Sequence, residues 1–226
     1  PESTLTREQA ATILGRLHKY TPTADLSALS VFSDQAKLSD YSKAYVAEAV
    51  KQGYINGYTD GTFKPQGTLS RAEIAKLLYG YMGTPLNKEG NVYSQATLKT
   101  DTKNVTISVP CTLSGADIQG NLYITEGVLA GNVELEDVTV AGDIIVSGGN
   151  VTLDGVSALD LIVSNPTGLT PQVIASGNTN IGTTEVQTAA TLTESNLSAS
   201  AGGFSDLKIT GENTSLTLDA AVWEAA

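Results

Sequence analysis

Apolar residues along this chain keep two different rhythms, and the change between them falls near residue 100. From Leu5 to Tyr20, the residues Ala10, Ile13, Leu14 and Leu17 recur at the spacing of one helix face, and Ile74, Leu77, Leu78 and Tyr81 repeat that stripe later. Both stretches predict amphipathic helices. Each opens on a capping box, Thr6 with Gln9 and Ser70 with Glu73, in which hydroxyl and carboxyl or amide satisfy each other's backbone N–H. A third helix is expected from about Tyr41 to Gln52. Ser39 or Asp40 starts it, Ala44, Tyr45, Ala49 and Val50 point inward, and Gly53 stops it. The intervening "GYINGYTDGTFKPQG" is rich in Gly, Asp, Asn and Pro and reads as a turn-rich loop.

Beyond residue 100 helical spacing is absent. Gly followed by Asn or Asp and then apolar-x-apolar recurs at Gly120, Gly131, Gly142 and Gly149, with weaker copies in "ALDLIV", "FSDLKI" and "NTSLTL". Alternation with Val, Ile or Leu on one side means half-buried strands. Repetition at about 20 residues per double unit predicts coils of a parallel β-solenoid with stacked aliphatics inside. Gly and Asn would supply its left-handed corners, and "SNPTGLTPQVIASGNTN" reads as a protruding loop. The expected fold class is therefore α+β in two domains. A helical unit covers 1–83, a linker covers 84–100, and an all-β domain covers 101–226, a right-handed parallel β-helix with a β-sandwich as the competing fold.

Composition adds a division of labour. The 226 residues are 41% hydrophobic, enough for two modest cores. Residues 1–100 hold 11 Lys+Arg against 9 Asp+Glu, a balance of +2, whereas 101–226 hold only Lys103 and Lys208 against 15 acids, a balance of −13. Ten of the thirteen aromatics also lie in the first hundred residues. Only the first half is equipped for an anionic or sugar-like partner, and the acidic half argues against nucleic acid or an anionic membrane surface. No apolar run approaches the roughly 20 residues that cross a bilayer, so no membrane insertion is expected. Cys111 stands alone, which excludes an internal disulfide framework, and the chain opens on Pro1, as a processed or excised piece would.

Catalytic chemistry finds little material. The only histidine is His18, expected on the solvent side of the first helix, so a nucleophilic triad lacks its base. There is no His/Cys cluster for zinc, no Gly-rich phosphate loop, and "YTDGTF" lacks the ligands of an EF-hand. Glu134 and Glu136 share one side of a strand, where solvation is the ordinary role, and Cys111 reads as a small buried hydrophobe. No catalytic residue, metal or cofactor is expected.

Two arginines break a rule in the same way. Arg7 and Arg71 sit at the first position of their helices, where the helix end already carries positive charge and a cation is disfavoured by about 0.3–1 kcal/mol. Each arginine pairs with a neighbouring carboxylate or lies on solvent, or else an external anion reverses the cost through the guanidinium fork and exposed N–H groups.

The order "FSD", an aromatic at Tyr45, "GYINGYTDGTFKP" and "LSRAEIAKLL" resembles an S-layer homology repeat of bacterial cell-surface proteins. Phe32 to Met82 makes one whole repeat, and Leu5 to Tyr20 the closing helix of a repeat before it. In this family three tandem repeats usually form a pseudo-threefold helical unit whose grooves bind secondary cell-wall polysaccharide, often pyruvylated. By position in the motif, the resemblance places glycan contacts at Arg7, Arg71, Asp34, Tyr45 and Gly57, with Tyr45 standing where the family commonly has tryptophan. It implies a non-catalytic protein outside the cell, anchored to the wall, with Tyr54 and Tyr58 offering ring faces to sugars and the β half as scaffold or display domain. The alternatives are a wall-anchored polysaccharide hydrolase or lyase built on the β-helix, recognisable by carboxylates converging at roughly 5–10 Å, and self-association within a surface lattice.

Overall fold

Three helices shape the first unit of this computed structural model, which describes residues 4–17, 25–98, 103–211 and 215–218. They are α1 (Arg7–Leu17), α2 (Asp40–Lys51) and α3 (Arg71–Met82). Both capping boxes close reciprocally. The Thr6 N–H donates to Gln9 Oε1 at 3.0 Å and the Gln9 N–H to Thr6 Oγ1 at 3.3 Å, while Ser70 and Glu73 exchange the same bonds at 2.9 and 3.2 Å. Gly53 ends α2 at φ +73°, where the N–H groups of Tyr54 and Gly53 reach the carbonyls of Ala49 and Val50, each at 2.9 Å. This is the paired bonding that an αL glycine allows.

The buried stripes are narrower than the apolar pattern suggested. Ala10, Ala11 and Leu14 are buried on α1, whereas Ile13 is exposed; on α3 Leu77 and Tyr81 are buried and Leu78 is exposed. On α2 the core side is Val46, Ala47 and Ala49, while Ala44, Tyr45 and Val50 are half-buried. The expected extension of the first helix to Tyr20, and His18 with it, lies outside the described residues.

From Met82 onward a second unit has its own aliphatic core. Fifteen strands are described, and every pairing between them is parallel, so the β-sandwich is excluded and the domain is a β-solenoid of about six turns. Steps between coils vary: Val105 pairs with Leu122 and Leu122 with Ile144, 17 and then 22 residues on. Inward positions stack like on like, as in Val133–Val151–Val173–Leu192 and Ile107–Ile124–Val146, all essentially inaccessible.

Two corners carry the repetition. Ser114, Glu136, Asp154 and Ser176 are mutual register partners, and the residue after each is left-handed: Gly115 (φ +57°), Asp137 (+49°), Gly155 (+66°) and Gly177 (+58°). At the other corner Asn104 Oδ1 accepts from the Asn121 N–H at 2.8 Å and Asn121 Oδ1 from the Asp143 N–H at 3.0 Å. A side chain at Gly120 or Gly142 would collide with the amide of the coil below, so the Gly-Asn signature marks room for this ladder. Of the four signature glycines Gly149 is left-handed (φ +87°), whereas Gly120, Gly131 and Gly142 are not.

Two expectations need correction. The stretch 84–100 is not a linker, since Thr84–Leu86 and Val92–Ser94 pair with Val105–Ile107 and Cys111–Ile118 and begin the solenoid. "SNPTGLTPQVIASGNTN" is not wholly a loop: Gln172–Gly177 is a strand paired on both sides, its Val173 and Ala175 buried. Prolines and glycines before it masked a short alternating run. Glu134 and Glu136 point outward, and Cys111 is buried in the core, which pushes its thiol up to about 11. Among the described residues no helix is long and apolar enough to cross a membrane.

Candidate functional site

The start of α1 is stitched to the loop before α3. Thr6 bridges Thr68, the Arg7 N–H donates to Gly67 O at 3.0 Å, and the Glu8 N–H to Pro65 O at 3.1 Å. The first N–H groups of this helix are therefore spent inside the protein and offer no donors to an outside anion. Glu8 is the centre of the joint. Its carboxylate, 2% exposed, accepts from the Ser39 N–H and hydroxyl, Tyr41 Oη, Ser42 Oγ and Gln66 Nε2, all between 2.8 and 3.1 Å. Burial alone would raise its pKa, but the bonds from Ser39, Gln66 and Ser42 outweigh it and hold Glu8 below the ordinary carboxylate value.

With its backbone fixed, Arg7 turns its side chain under the loop 53–58. The guanidinium carbon lies 4.8 Å from the centre of the Tyr58 ring and 5.2 Å from that of Phe63, and Nη2 donates to Asn56 O. Such ring contacts contribute about 0.5–2 kcal/mol, enough to offset the helix-end penalty of about 0.3–1 kcal/mol. The arginine needs no carboxylate of its own, and among the described residues none forms an ion pair with it. It is 9% exposed, and its Nε is buried without a hydrogen-bond partner.

That side chain lines a cleft of about 310 Å³ between the loop and one side of α3. Gly57 forms part of the loop wall because a Cβ there would collide with the Phe32 ring and come within 2.9 Å of Thr62 O. On the opposite wall Glu73 accepts from Tyr58 Oη at 2.5 Å and from Ser70. Tyr58 and then Ser70 hold the Glu73 carboxyl at about 2, while the same bond raises the Tyr58 hydroxyl. Lys76 and Tyr79 continue that wall.

The structure brings Arg7 and Gly57 together and leaves the other candidates elsewhere. Arg71 is exposed and has no bonded partner for its side chain among the described residues. Asp34 is a structural clamp that accepts from the Phe63 and Lys64 N–H groups at 2.7 and 2.9 Å. Tyr45 packs on α1, where a Cβ on Gly15 would lie 2.7 Å from its ring, and Arg16 covers it at 5.6 Å. Tyr58 carries two cations over its ring, Arg7 and, at 4.3 Å, Lys64, so it holds charge rather than offering a bare face; Tyr54 stacks on Tyr81 at 4.7 Å. Sequence reasoning missed Glu8, Asn56 and Lys76. For Glu8 a signal existed, since the motif copy has Ala72 at that place; Asn56 acts through its backbone, which no side chain announces.

Residues 31–75 match the family model for the S-layer homology domain, and the chain carries that domain, a module of surface proteins anchored to the wall. Among curated proteins the chain is similar to an amylopullulanase of Thermoanaerobacterium thermosulfurigenes, 33% identical over 94 residues, and to exoglucanase XynX of Acetivibrio thermocellus, 35% over 85. It is also similar to a cellulosome-anchoring protein of Acetivibrio thermocellus, 29% identical over 105 residues. These matches cover 41%, 36% and 46% of this chain but only 5%, 8% and 23% of those proteins. No solved structure matches the chain.

Proposed function

We propose that the helical unit holds this protein on the cell wall by binding an anionic secondary wall polysaccharide in the Arg7 cleft, and that the solenoid is a non-catalytic extracellular scaffold. The carrying observation is the Arg7 guanidinium, buried, in ion pair with no acid among the described residues and with its Nε unpaired, in a side chain that lines an open cleft where Glu73 is the one carboxylate and feels its charge. A carboxylate on a sugar, such as a pyruvate ketal, would add an acceptor for the guanidinium fork and further negative charge beside that of Glu73. Tyr58 and Phe63 restrain the fork so that little side-chain freedom is lost on binding. A single such site is modest, and several linked repeats would gain by avidity. The solenoid's outward acids, Glu134 and Glu136 among them, serve solubility in this reading.

Retention of the full chain on polymer-bearing and polymer-stripped cell walls tests the proposal. Wild type should stay on the first and wash off the second, with release by added salt. Arg7→Lys, which keeps the charge but loses the fork, should weaken retention roughly tenfold, and Arg71→Ala should have a smaller effect. Equal retention on both walls removes the glycan reading, and retention that free polymer fails to compete assigns the unit to self-association. Turnover of an acidic polysaccharide, lost on substituting Glu136 and its register partner Asp154, would overturn the non-catalytic assignment.

A further inference from the structure

Three Asx-Gly steps stand in the chain, Asn56-Gly57, Asp60-Gly61 and Asp154-Gly155. At such a step the glycine amide nitrogen can attack the side-chain carbonyl carbon of the residue before it, and glycine leaves that nitrogen unshielded because it has no Cβ. Two of the three are locked. The Gly61 N–H donates to Tyr58 O at 3.0 Å and the Gly155 N–H to Ser176 O at 3.3 Å, and Asp60 accepts from Thr62 and pairs with Lys64. Asn56-Gly57 is open. Asn56 is exposed, and among the described residues neither its side-chain amide nor the Gly57 N–H makes a hydrogen bond. The carbonyl oxygen of the peptide between them, Asn56 O, is the acceptor of Arg7 Nη2. That guanidinium is buried, forms no ion pair among the described residues and is held in place by the Tyr58 and Phe63 rings. Deprotonating the Gly57 nitrogen moves negative charge onto Asn56 O, so a fixed cation there stabilises the reactive form of the peptide.

We propose that Asn56 is a self-modification site, at which the Asn56-Gly57 step converts to isoaspartate or aspartate with Arg7 as the stabilising cation. Water or hydroxide takes the Gly57 amide proton, and the nitrogen forms a bond to Asn56 Cγ. The Cγ–Nδ2 bond breaks and the side-chain nitrogen leaves as ammonia, with a proton returned by water, which closes a cyclic imide. Water then adds to one of the two imide carbonyls. Opening at Cγ gives aspartate, whereas opening at the former backbone carbonyl gives isoaspartate, in which the main chain runs through Cγ. In sum one water is consumed and one ammonia released, with no change of oxidation state. The isoaspartate product bears directly on Arg7. The oxygen that Arg7 already binds becomes half of a carboxylate, whose second oxygen is an acceptor for the unpaired Nε of the same fork. The Arg7 end of the cleft then carries its own acid, whatever else the cleft binds.

Ageing the full chain in mildly alkaline buffer, folded and in urea, with peptide mapping at intervals, tests the site. The folded chain should accumulate isoaspartate at position 56, read by methylation of that peptide with protein isoaspartyl methyltransferase, at least as fast as the chain in urea. Asp60 and Asp154 should form none while folded. Arg7→Gln, checked by circular dichroism to keep its helices, should react roughly tenfold more slowly than wild type when folded and at the same rate in urea. In aged wild type the Arg7 Nε–H proton should move downfield by NMR as the new carboxylate takes it up. Reaction slower in the folded chain than in urea, or a folded Arg7→Gln that keeps the wild-type rate, overturns the assisted site. An unmoved Arg7 Nε–H in isoaspartate-bearing chain overturns the ion pair. Should Arg7→Gln fail to fold, the comparison of folded and urea-treated wild type decides alone.

Discussion

Thr6-Arg7-Glu8-Gln9 and Ser70-Arg71-Ala72-Glu73 are copies of one motif, and Gly115, Asp137, Gly155 and Gly177 are copies of one corner. The helical copies share their caps and nothing else. Arg7 is buried under two rings while Arg71 is exposed, and Glu8 gathers five donors where Ala72 makes no side-chain bond. The corner copies share their left-handed backbone, since each occupies the same turn above the last. Repetition in the first unit conserves a scaffold on which single residues become specific; in the second it is itself the structure, and one rung substitutes for another.

Moving a residue between copies should therefore cost much in the helical unit. Glu8→Ala writes the second copy's residue into the first and leaves Ser39, Tyr41, Ser42 and Gln66 without their acceptor. A destabilisation of about 3 kcal/mol is expected, read as a lower denaturant midpoint of the helical unit with the solenoid's transition unmoved. Glu8→Gln, which keeps one oxygen, should cost less. The reverse copy, Ala72→Glu, should change stability by under about 0.5 kcal/mol, since that position is exposed. Equal effects from both exchanges would erase the distinction between the two copies.

Acid should separate the units next. Glu8 is held below its ordinary 4.5, Glu73 at about 2 by Tyr58 and Ser70, and Asp60 at about 2 by Thr62 and Lys64. Each folded-state value lies below the unfolded one. Their stabilisation is thus complete above the unfolded values and drains away as pH falls from about 4.5 towards 2. Stacked aliphatics in the solenoid do not titrate. Hydrogen exchange followed through that window should show α1 and α2 losing protection while Leu135, Leu153 and Val173 keep theirs; simultaneous loss would mean that carboxylate bonding does not set the helical unit apart.

How much of this was legible follows from the same contrast. The caps, the stop at Gly53 and the alternation that makes the solenoid are local patterns, legible in the sequence itself. Arg7 stands out because it violates a local rule that Arg71 violates in the same way. Its environment does not, because the carbonyl of Asn56 and the rings of Tyr58 and Phe63 come to it across about fifty residues of chain. The partners of Asp34 were hidden for a related reason. Its two oxygens accept the Phe63 and Lys64 N–H groups from about thirty residues on, a structural role that an aspartate near a repeat start does not announce. The strands within 84–100 are three residues long, too short to alternate visibly, and pairing with the next coil makes them strands; Gln172–Gly177 is hidden by the prolines and glycines before it and is paired on both sides.

The smallest effect sharpens the comparison most. Asp137 is the one corner residue of its register row that is not glycine between Gly115 and Gly177, and its exposed side chain makes no hydrogen bond among the described residues. A left-handed non-glycine residue carries roughly 1 kcal/mol of strain, less for Asp than for most. Asp137→Gly removes that strain, and the added freedom of the unfolded chain returns roughly 0.5–1 kcal/mol. The expected outcome is a change between zero and a gain of about 0.5 kcal/mol. Gly155→Ala on the next coil runs the exchange backwards. It should lose about 1 kcal/mol or slightly more, because the new Cβ would sit 2.6 Å from Asp137 Oδ1. In the double variant Asp137→Gly, Gly155→Ala that contact is gone, so the two effects should fail to add by a few tenths of a kcal/mol. Strict additivity would mean the rungs do not feel each other across the corner, and with that the ladder would be a coincidence of backbone angles rather than a shared device.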